Sequence, residues 1–142
     1  MAEVRSATPE LERFARETLG CNCAPEVFSR VEDDRNPPPG CPEIRRRIAI
    51  GGRLLIYVAE PADAGLAARR MGAWIAAGRA ERDRRGMNRL RLVVSLGKLT
   101  TEGVAVIESA FSEVPELVAV GDAGEEPRIH LHCLPRAALA SI

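Results

Sequence analysis

The chain has 142 residues, 46% of them hydrophobic, and its 20 basic and 20 acidic side chains cancel in formal charge. That length fits one domain, which can bury enough apolar surface to fold without a disulfide or a metal ion. The balanced charge argues against a general nucleic-acid or membrane-surface binder, and no segment approaches the roughly 20 apolar residues of a membrane span.

The N-terminal sequence carries no basic region followed by an apolar run, so it does not resemble a signal peptide. We therefore expect a cytoplasmic protein. Thiols stay reduced in that compartment unless they are catalytic or metal-bound. Four cysteines in such a chain do not indicate a disulfide scaffold.

Two short helices are predicted at the N-terminal end. Thr8 fits the capping position of the first helix, and Gly20 ends it. Pro25 is typical of a first helical turn and predicts a second helix over about residues 24–32. Residues 33–42 contain three consecutive prolines and are predicted to form a loop.

Strands and helices alternate after this loop. Extended runs over residues 45–50 and 53–59 flank Gly51-Gly52, which predicts a tight hairpin with a central second strand. The remaining predicted elements are a helix capped by Asp63 and reaching about Arg84, a strand over 89–96, a helix from residue 100 to about 114, strands over 117–120 and 128–134, and a short helix over 135–142.

The order strand, helix, strand, helix, strand predicts a parallel sheet core with right-handed crossovers. The expected fold is therefore a single α/β domain over residues 1–142. Its mixed, mainly parallel sheet has about five strands with helices on both faces. Residues 1–43, a helical segment with a proline-rich loop, are expected to pack on residues 44–142. Leftover hydrophobic surface on the edge strands makes a homodimer one hypothesis.

Cys21 and Cys23 are the most distinctive chemical feature of the sequence, because they lie between the end of one predicted helix and the start of the next. Two thiols at this spacing can face one small ligand where the backbone is extended. A helix N-terminus favours thiolate, which is both the nucleophile and the metal ligand. The alternative is that both cysteines are small buried residues without chemistry.

A metal site needs further ligands. Cys41 in the proline-rich loop and Cys133 in the last strand would complete four thiolates suited to zinc or an iron–sulfur cluster. His130 and His132 share one face of the last strand, opposite Cys133, and would instead complete a Cys₂His₂ set. These spacings match no standard ligand pattern, and the two histidines also fit the solvated face of an edge strand.

A redox function needs no further ligand. A disulfide between Cys21 and Cys23 would close a small ring, and strained disulfides exchange more readily than relaxed ones. The Cys-x-Cys spacing and the preceding helix both depart from the Cys-x-x-Cys signal of thioredoxins.

Arginines at positions 79, 82, 84, 85, 89 and 91 cluster around the end of the long helix and the following strand. Such a cluster fits a solvated helix end stabilised by the helix dipole. The other interpretation is a contact for an anion or a phosphodiester, although few aromatic residues are nearby to stack on bases.

The leading functional hypothesis is a small accessory protein that binds a metal ion or an iron–sulfur cluster. Its candidate ligands are Cys21, Cys23 and Cys41, with Cys133, His130 and His132 as additional ones. The second hypothesis is a non-catalytic interaction or regulatory domain with a protein partner, and the third is a thiol-redox protein. Neither a glycine-rich phosphate loop nor a nucleophile elbow is present, which makes an enzyme the less favoured class.

Overall fold

Six strands form one mixed sheet in a computed structural model, which describes residues 3–118 and 128–142. The strands are β1 (Glu3–Arg5), β2 (Val31–Asp34), β3 (Ile44–Ile50), β4 (Leu54–Ala59), β5 (Arg89–Leu96) and β6 (Ile129–Pro135). The α-helices are α1 (Pro9–Arg13), α2 (Ala64–Arg84), α3 (Thr101–Ser112) and α4 (Pro115–Val118). A π-helical turn, Phe14–Thr18, continues α1, and 3₁₀ turns lie at Pro25–Ser29 and Arg136–Leu139.

The strands lie side by side in chain order. The three pairings from β1 to β4 are antiparallel, and the two pairings from β4 to β6 are parallel. The prediction of a mixed sheet in an α/β domain is confirmed. The prediction of a mainly parallel sheet was wrong, because antiparallel pairings outnumber parallel ones among the described residues. The described sheet has six strands, one more than the approximate number predicted.

The N-terminal segment accounts for most of this difference. The helix predicted over residues 24–32 is instead the short 3₁₀ turn, and β2 follows it. Val31 and Asp33 are buried while the residues between and after them are partly exposed, which is the period of a strand. Residues 1–43 were predicted to pack on residues 44–142 as a helical segment with a proline-rich loop, but this segment instead contributes β1 and β2 to the sheet.

The Gly51-Gly52 hairpin is confirmed. Both glycines have positive φ, +60° and +67°, as a type I′ turn requires, and the Arg53 N–H donates to the Ile50 carbonyl at 3.0 Å. A Cβ atom at Gly51 would collide with Val27 of the 3₁₀ turn. The hairpin therefore packs closely against the segment that follows Cys23.

Hydrophobic clusters cover both faces of the sheet. On one face, α2 and α3 pack over the strands, with Trp74 of α2 in the same cluster as Tyr57. On the other face, Phe14 clusters with Ile56 and Val93. The prediction of helices on both faces differs from the structure in detail: the two crossover helices share one face, and the short N-terminal elements cover the second.

Helix α2 begins and ends where the sequence predicts. The Asp63 side chain accepts the Leu66 N–H at 2.7 Å, and Gly86 follows the helix with a φ of +66°. No helix among residues 3–118 and 128–142 is long and apolar enough to cross a membrane.

Two elements predicted in the C-terminal region differ from those in the structure. The strand expected over residues 117–120 was wrong at its start, because residues 117 and 118 belong to α4. Pro115 occupies the first helical position there, where its missing N–H costs nothing. Residues 119 and 120 lie outside the described part of the chain. The helix expected over residues 135–142 is a single 3₁₀ turn, Arg136–Leu139.

Candidate functional site

Cys21 and Cys23 are joined by a disulfide, with their Cα atoms 5.6 Å apart. Gly20, with a φ of +74°, ends the π-helical turn, and the Cys21 N–H donates to the Ala15 carbonyl at 2.8 Å. These contacts fix the direction in which the chain leaves the helix. Cys21 is buried and Cys23 is half-buried, so Cys23 is the more accessible member of the pair.

The positive electrostatic potential expected from the N-terminus of a following helix is largely missing at the cysteine pair. The turn after the disulfide is a 3₁₀ turn of five residues. Such a turn aligns few peptide dipoles and has little of the macrodipole of a regular α-helix. The positive charge near the disulfide comes instead from side chains of the sheet.

A cavity of about 710 Å³ borders the disulfide at the amino ends of β4 and β5. Open α/β sheets usually bind ligands at the opposite, carboxyl ends of their parallel strands. Residues of this cavity that matter for its chemistry are Cys21, Cys23, Glu26, Arg53, Arg89 and Arg91. Three arginines against one glutamate make the lining positively charged.

The fold places these arginines through backbone pairing. The Arg53 carbonyl accepts the Asn88 N–H at 2.8 Å and the Arg89 N–H at 3.1 Å, which ties the hairpin turn to the start of β5. Residues 90 and 92 of β5 belong to the cluster under α2. Because side chains alternate along a strand, Arg89 and Arg91 lie on the other face, the face of the disulfide.

Two histidines of β6 hold these guanidinium groups. Arg89 Nη1 lies 2.8 Å from His130 Nε2, and Arg91 Nη1 lies 3.1 Å from His132 Nε2. A guanidinium can only donate, so both Nε2 atoms must accept, which assigns the ring proton to Nδ1. Burial and the charge of Arg91 lower the pKa of His132 to about 4. This imidazole is therefore neutral at pH 7 and leaves the charge of Arg91 uncancelled.

Arg91 is only 8% exposed, yet its Nε has no hydrogen-bond partner among the described residues. Burial and the charge of Arg89 lower its pKa from the usual value. None of the three cavity arginines forms an ion pair within residues 3–118 and 128–142. Arg46 and Arg47, in contrast, are paired with Asp33 and Glu81.

No protein-family model, curated protein or solved structure matched this chain. The functional argument therefore depends on the chemistry of the site, since a fold class alone does not specify a function.

The other two cysteines lie away from this cavity. Cys41 packs under the opposite face of the sheet, with its Sγ 3.8 Å from the Ala73 carbonyl oxygen, and burial raises its pKa. Cys133 contacts the same cluster, and burial with the charge of Glu108 raises its pKa to about 11. The structure thus brings together only Cys21 and Cys23 of the four thiols.

His130 and His132 lie on the disulfide side of the sheet, as the period of β6 predicts, but they contact the cavity arginines rather than the cysteines. Among the residues that the structure describes, no group of three or more His, Cys, Asp or Glu side chains could hold a metal ion. The zinc or iron–sulfur site stays a prediction without a complete ligand set in this part of the chain.

Sequence reasoning grouped Arg89 and Arg91 with the arginines at the end of α2 and did not single out Arg53. The available signal was the alternation of side chains between the two faces of each strand. Period two places Arg89 and Arg91 on one face of β5, and it places His130 and His132 on one face of β6. If these strands are taken as parallel neighbours, the two arginines and the two histidines lie side by side on the same face of the sheet.

Proposed function

We propose that the protein is a thiol–disulfide redox protein whose reactive group is the Cys21–Cys23 pair. One observation carries this proposal: the disulfide borders a cavity of ligand size, while Cys41 and Cys133 lie elsewhere. Pockets that bind small molecules typically enclose about 300–1,000 Å³.

The reaction is an exchange in which two electrons pass between substrate thiols and the protein disulfide. A substrate thiolate attacks Sγ of Cys23, a substrate–Cys23 bond forms, and the Cys21–Cys23 bond breaks with Cys21 leaving as a thiolate. A second substrate thiolate attacks the substrate sulfur of this mixed disulfide and releases Cys23. Two substrate thiols are thereby oxidised to one disulfide, and the protein pair takes up their two protons as a dithiol. The same steps in reverse reduce a substrate disulfide.

The cavity arginines support this chemistry. Positive charge near a cysteine favours the thiolate, which is the leaving group in the first step and the attacking group in the reverse reaction. Arg53, Arg89 and Arg91 line the same cavity as Cys21 and Cys23. In the predicted cytoplasmic location, a disulfide of this kind would be one that forms and breaks during function.

The test is a redox titration of the folded protein. Samples are equilibrated in buffers of reduced and oxidised dithiothreitol, trapped with an alkylating reagent and mapped by mass spectrometry. We expect Cys21 and Cys23 to interconvert reversibly between disulfide and dithiol. Cys41 should alkylate slowly because it is buried, and Cys133 because its raised pKa leaves little thiolate. A Cys133→Ser control should titrate like the wild type.

Single substitutions separate the role of Cys23, whose sulfur is attacked, from the role of Cys21, which leaves as a thiolate. Cys21→Ser should trap a mixed disulfide on Cys23, and Cys23→Ser should trap much less, because the remaining sulfur is buried. Two results would contradict the proposal: a pair that never changes state in the native protein, or stoichiometric zinc or iron that the Cys21→Ser/Cys23→Ser variant loses. The second result would favour the metal hypothesis.

A further inference from the structure

Three positive charges line the disulfide cavity without a counter-ion from the described residues. Arg53 is exposed, Arg89 is half-buried and Arg91 is almost fully buried. A buried charge is costly in free energy unless it is paired and hydrogen-bonded. Other buried arginines of this chain have such a partner, as Arg46 has in Asp33.

We infer that Arg53, Arg89 and Arg91 bind the carboxylate of a small anionic thiol, which is the substrate of the disulfide. That the ligand is a thiol rests on the proposed function. That the ligand is an anion rests on the unpaired guanidinium groups, and the two parts can be tested separately.

The donors that remain on Arg91 define how the carboxylate binds. Arg91 uses Nη1 for His132, and its Nε is unsatisfied among the described residues. Arg46 of the same molecule shows how the Nε–Nη2 edge of a guanidinium binds a carboxylate. Its Nε donates to Oδ1 of Asp33 at 2.9 Å, and its Nη2 donates to Oδ2 at 2.6 Å. The Nε of Arg91 is covered by protein atoms in this conformation, so a substrate carboxylate can form the equivalent bidentate pair once the side chain turns toward the cavity.

The two histidines fit this role better than acidic residues would. A carboxylate at position 130 or 132 would orient the guanidinium but would also cancel its charge. A neutral imidazole accepts one N–H and leaves the full positive charge to the ligand. The arginines are thus held in place for an anion that the protein itself does not supply.

The experiment compares three small thiols as reductants of the Cys21–Cys23 disulfide: mercaptopropionate, mercaptoethanol and cysteamine, which carry a negative, a neutral and a positive group. Rates are compared at equal thiolate concentration and low ionic strength. We expect mercaptopropionate to react roughly tenfold faster than mercaptoethanol and cysteamine to react slowest, with the preference falling as salt is added. Arg91→Gln should abolish the preference.

Two further variants serve as controls for this test. Arg53→Gln changes an exposed residue of the cavity with little risk to folding and should reduce the preference partly. Arg79→Gln removes an arginine from the exposed surface of α2, outside the cavity, and should leave the preference unchanged. Circular dichroism establishes that each variant is folded before rates are compared.

Binding is also measured without exchange, by calorimetry with methylthiopropionate, whose sulfur is blocked. Binding that weakens in Arg91→Gln supports the anion site, and no binding overturns it. Equal rates for the three thiols in the wild type overturn the substrate assignment but leave the redox function intact. Reduction by none of the thiols overturns the redox function, and calorimetry then decides the anion site alone.

Discussion

At the scale of single residues, Glu81 shows how this chain stabilises a buried charge. Its carboxylate accepts the Tyr57 hydroxyl at 2.6 Å and N–H groups of Arg47 and Arg85, each at 3.0 Å. Burial acts to raise the pKa of Glu81, but the hydrogen bonds from Tyr57 and Arg47 and the charge of Arg47 outweigh it and lower the pKa. The carboxylate is therefore ionised in the folded protein at neutral pH.

Glu81→Gln should destabilise the protein by about 3 kcal/mol at pH 7, because Arg47 loses its buried counter-charge. The native pKa lies below the unfolded value of 4.5. The stabilisation is therefore fully present above that value and is lost as pH falls through the native pKa. Urea unfolding at several pH values should show the difference between wild type and variant shrinking under acidic conditions.

The matched control is Glu12→Gln, which breaks the solvent-exposed ion pair with Arg16 and should change the free energy of unfolding by less than about 0.5 kcal/mol. A wild-type-to-Gln difference that is the same at acidic and neutral pH would show that the charge of Glu81 is not what stabilises the fold.

The cavity arginines are the exception to this pattern of paired charge. The sequence does not show which of Arg47 and Arg91 has a charged partner, since both lie in predicted strands. What separates them is the neighbouring strand: Arg47 lies opposite Asp34 of β2, whereas Arg91 lies opposite His130 of β6. A strand's register against another strand depends on distant residues and cannot be derived from local composition.

At the scale of elements, the Gly51-Gly52 turn joins the sheet to the site. Gly52→Ala should cost about 1–2 kcal/mol, because alanine disfavours the positive φ but meets nothing within 4 Å. Gly51→Ala has the same backbone penalty and also forces Val27 away. We expect it to be clearly more destabilising and to alter the reduction rate of the disulfide, since Val27 lines the cavity.

Urea unfolding and the rate of disulfide reduction are measured for both variants. Gly52→Ala is the control for backbone strain without displacement of Val27. Equal losses of stability and equal reduction rates in the two variants would show that the contact between the hairpin and the 3₁₀ turn does not shape the site.

Elements with strong local signals were predicted well. The capping residue Asp63, the two glycines of the hairpin and the alternation in residues 89–96 each determine a nearby conformation. Strand β2 was missed because its acidic sequence has low strand propensity and its hydrogen bonds come from β3, ten or more residues later. The disulfide cavity was missed for the same reason, since its two sides meet only through the fold.

At the scale of the whole molecule, two hydrophobic clusters hold the sheet without needing the disulfide. The ring that Cys21 and Cys23 close is short, so the disulfide removes little chain entropy from the unfolded state. The Cys21→Ser/Cys23→Ser variant should therefore lose only about 1–2 kcal/mol of stability. Its urea m-value should match that of the wild type, because the surface exposed on unfolding is unchanged.

Reductant should lower wild-type stability by a similar amount and leave the double variant unaffected. A loss of cooperative unfolding in the double variant would instead identify the disulfide as a structural one, which would count against its proposed role in exchange.

The order of strands in the sheet has a consequence for synthesis on the ribosome. Because neighbours in the sheet are neighbours in the chain, each strand that emerges can pair with one already made, and no strand must wait for a later partner to be inserted. The two cysteines leave the exit tunnel well before the arginines of β5 that border them. For that interval the nascent chain presents its thiols uncovered, so enzymes that act on newly made protein meet this pair before its own cavity has formed.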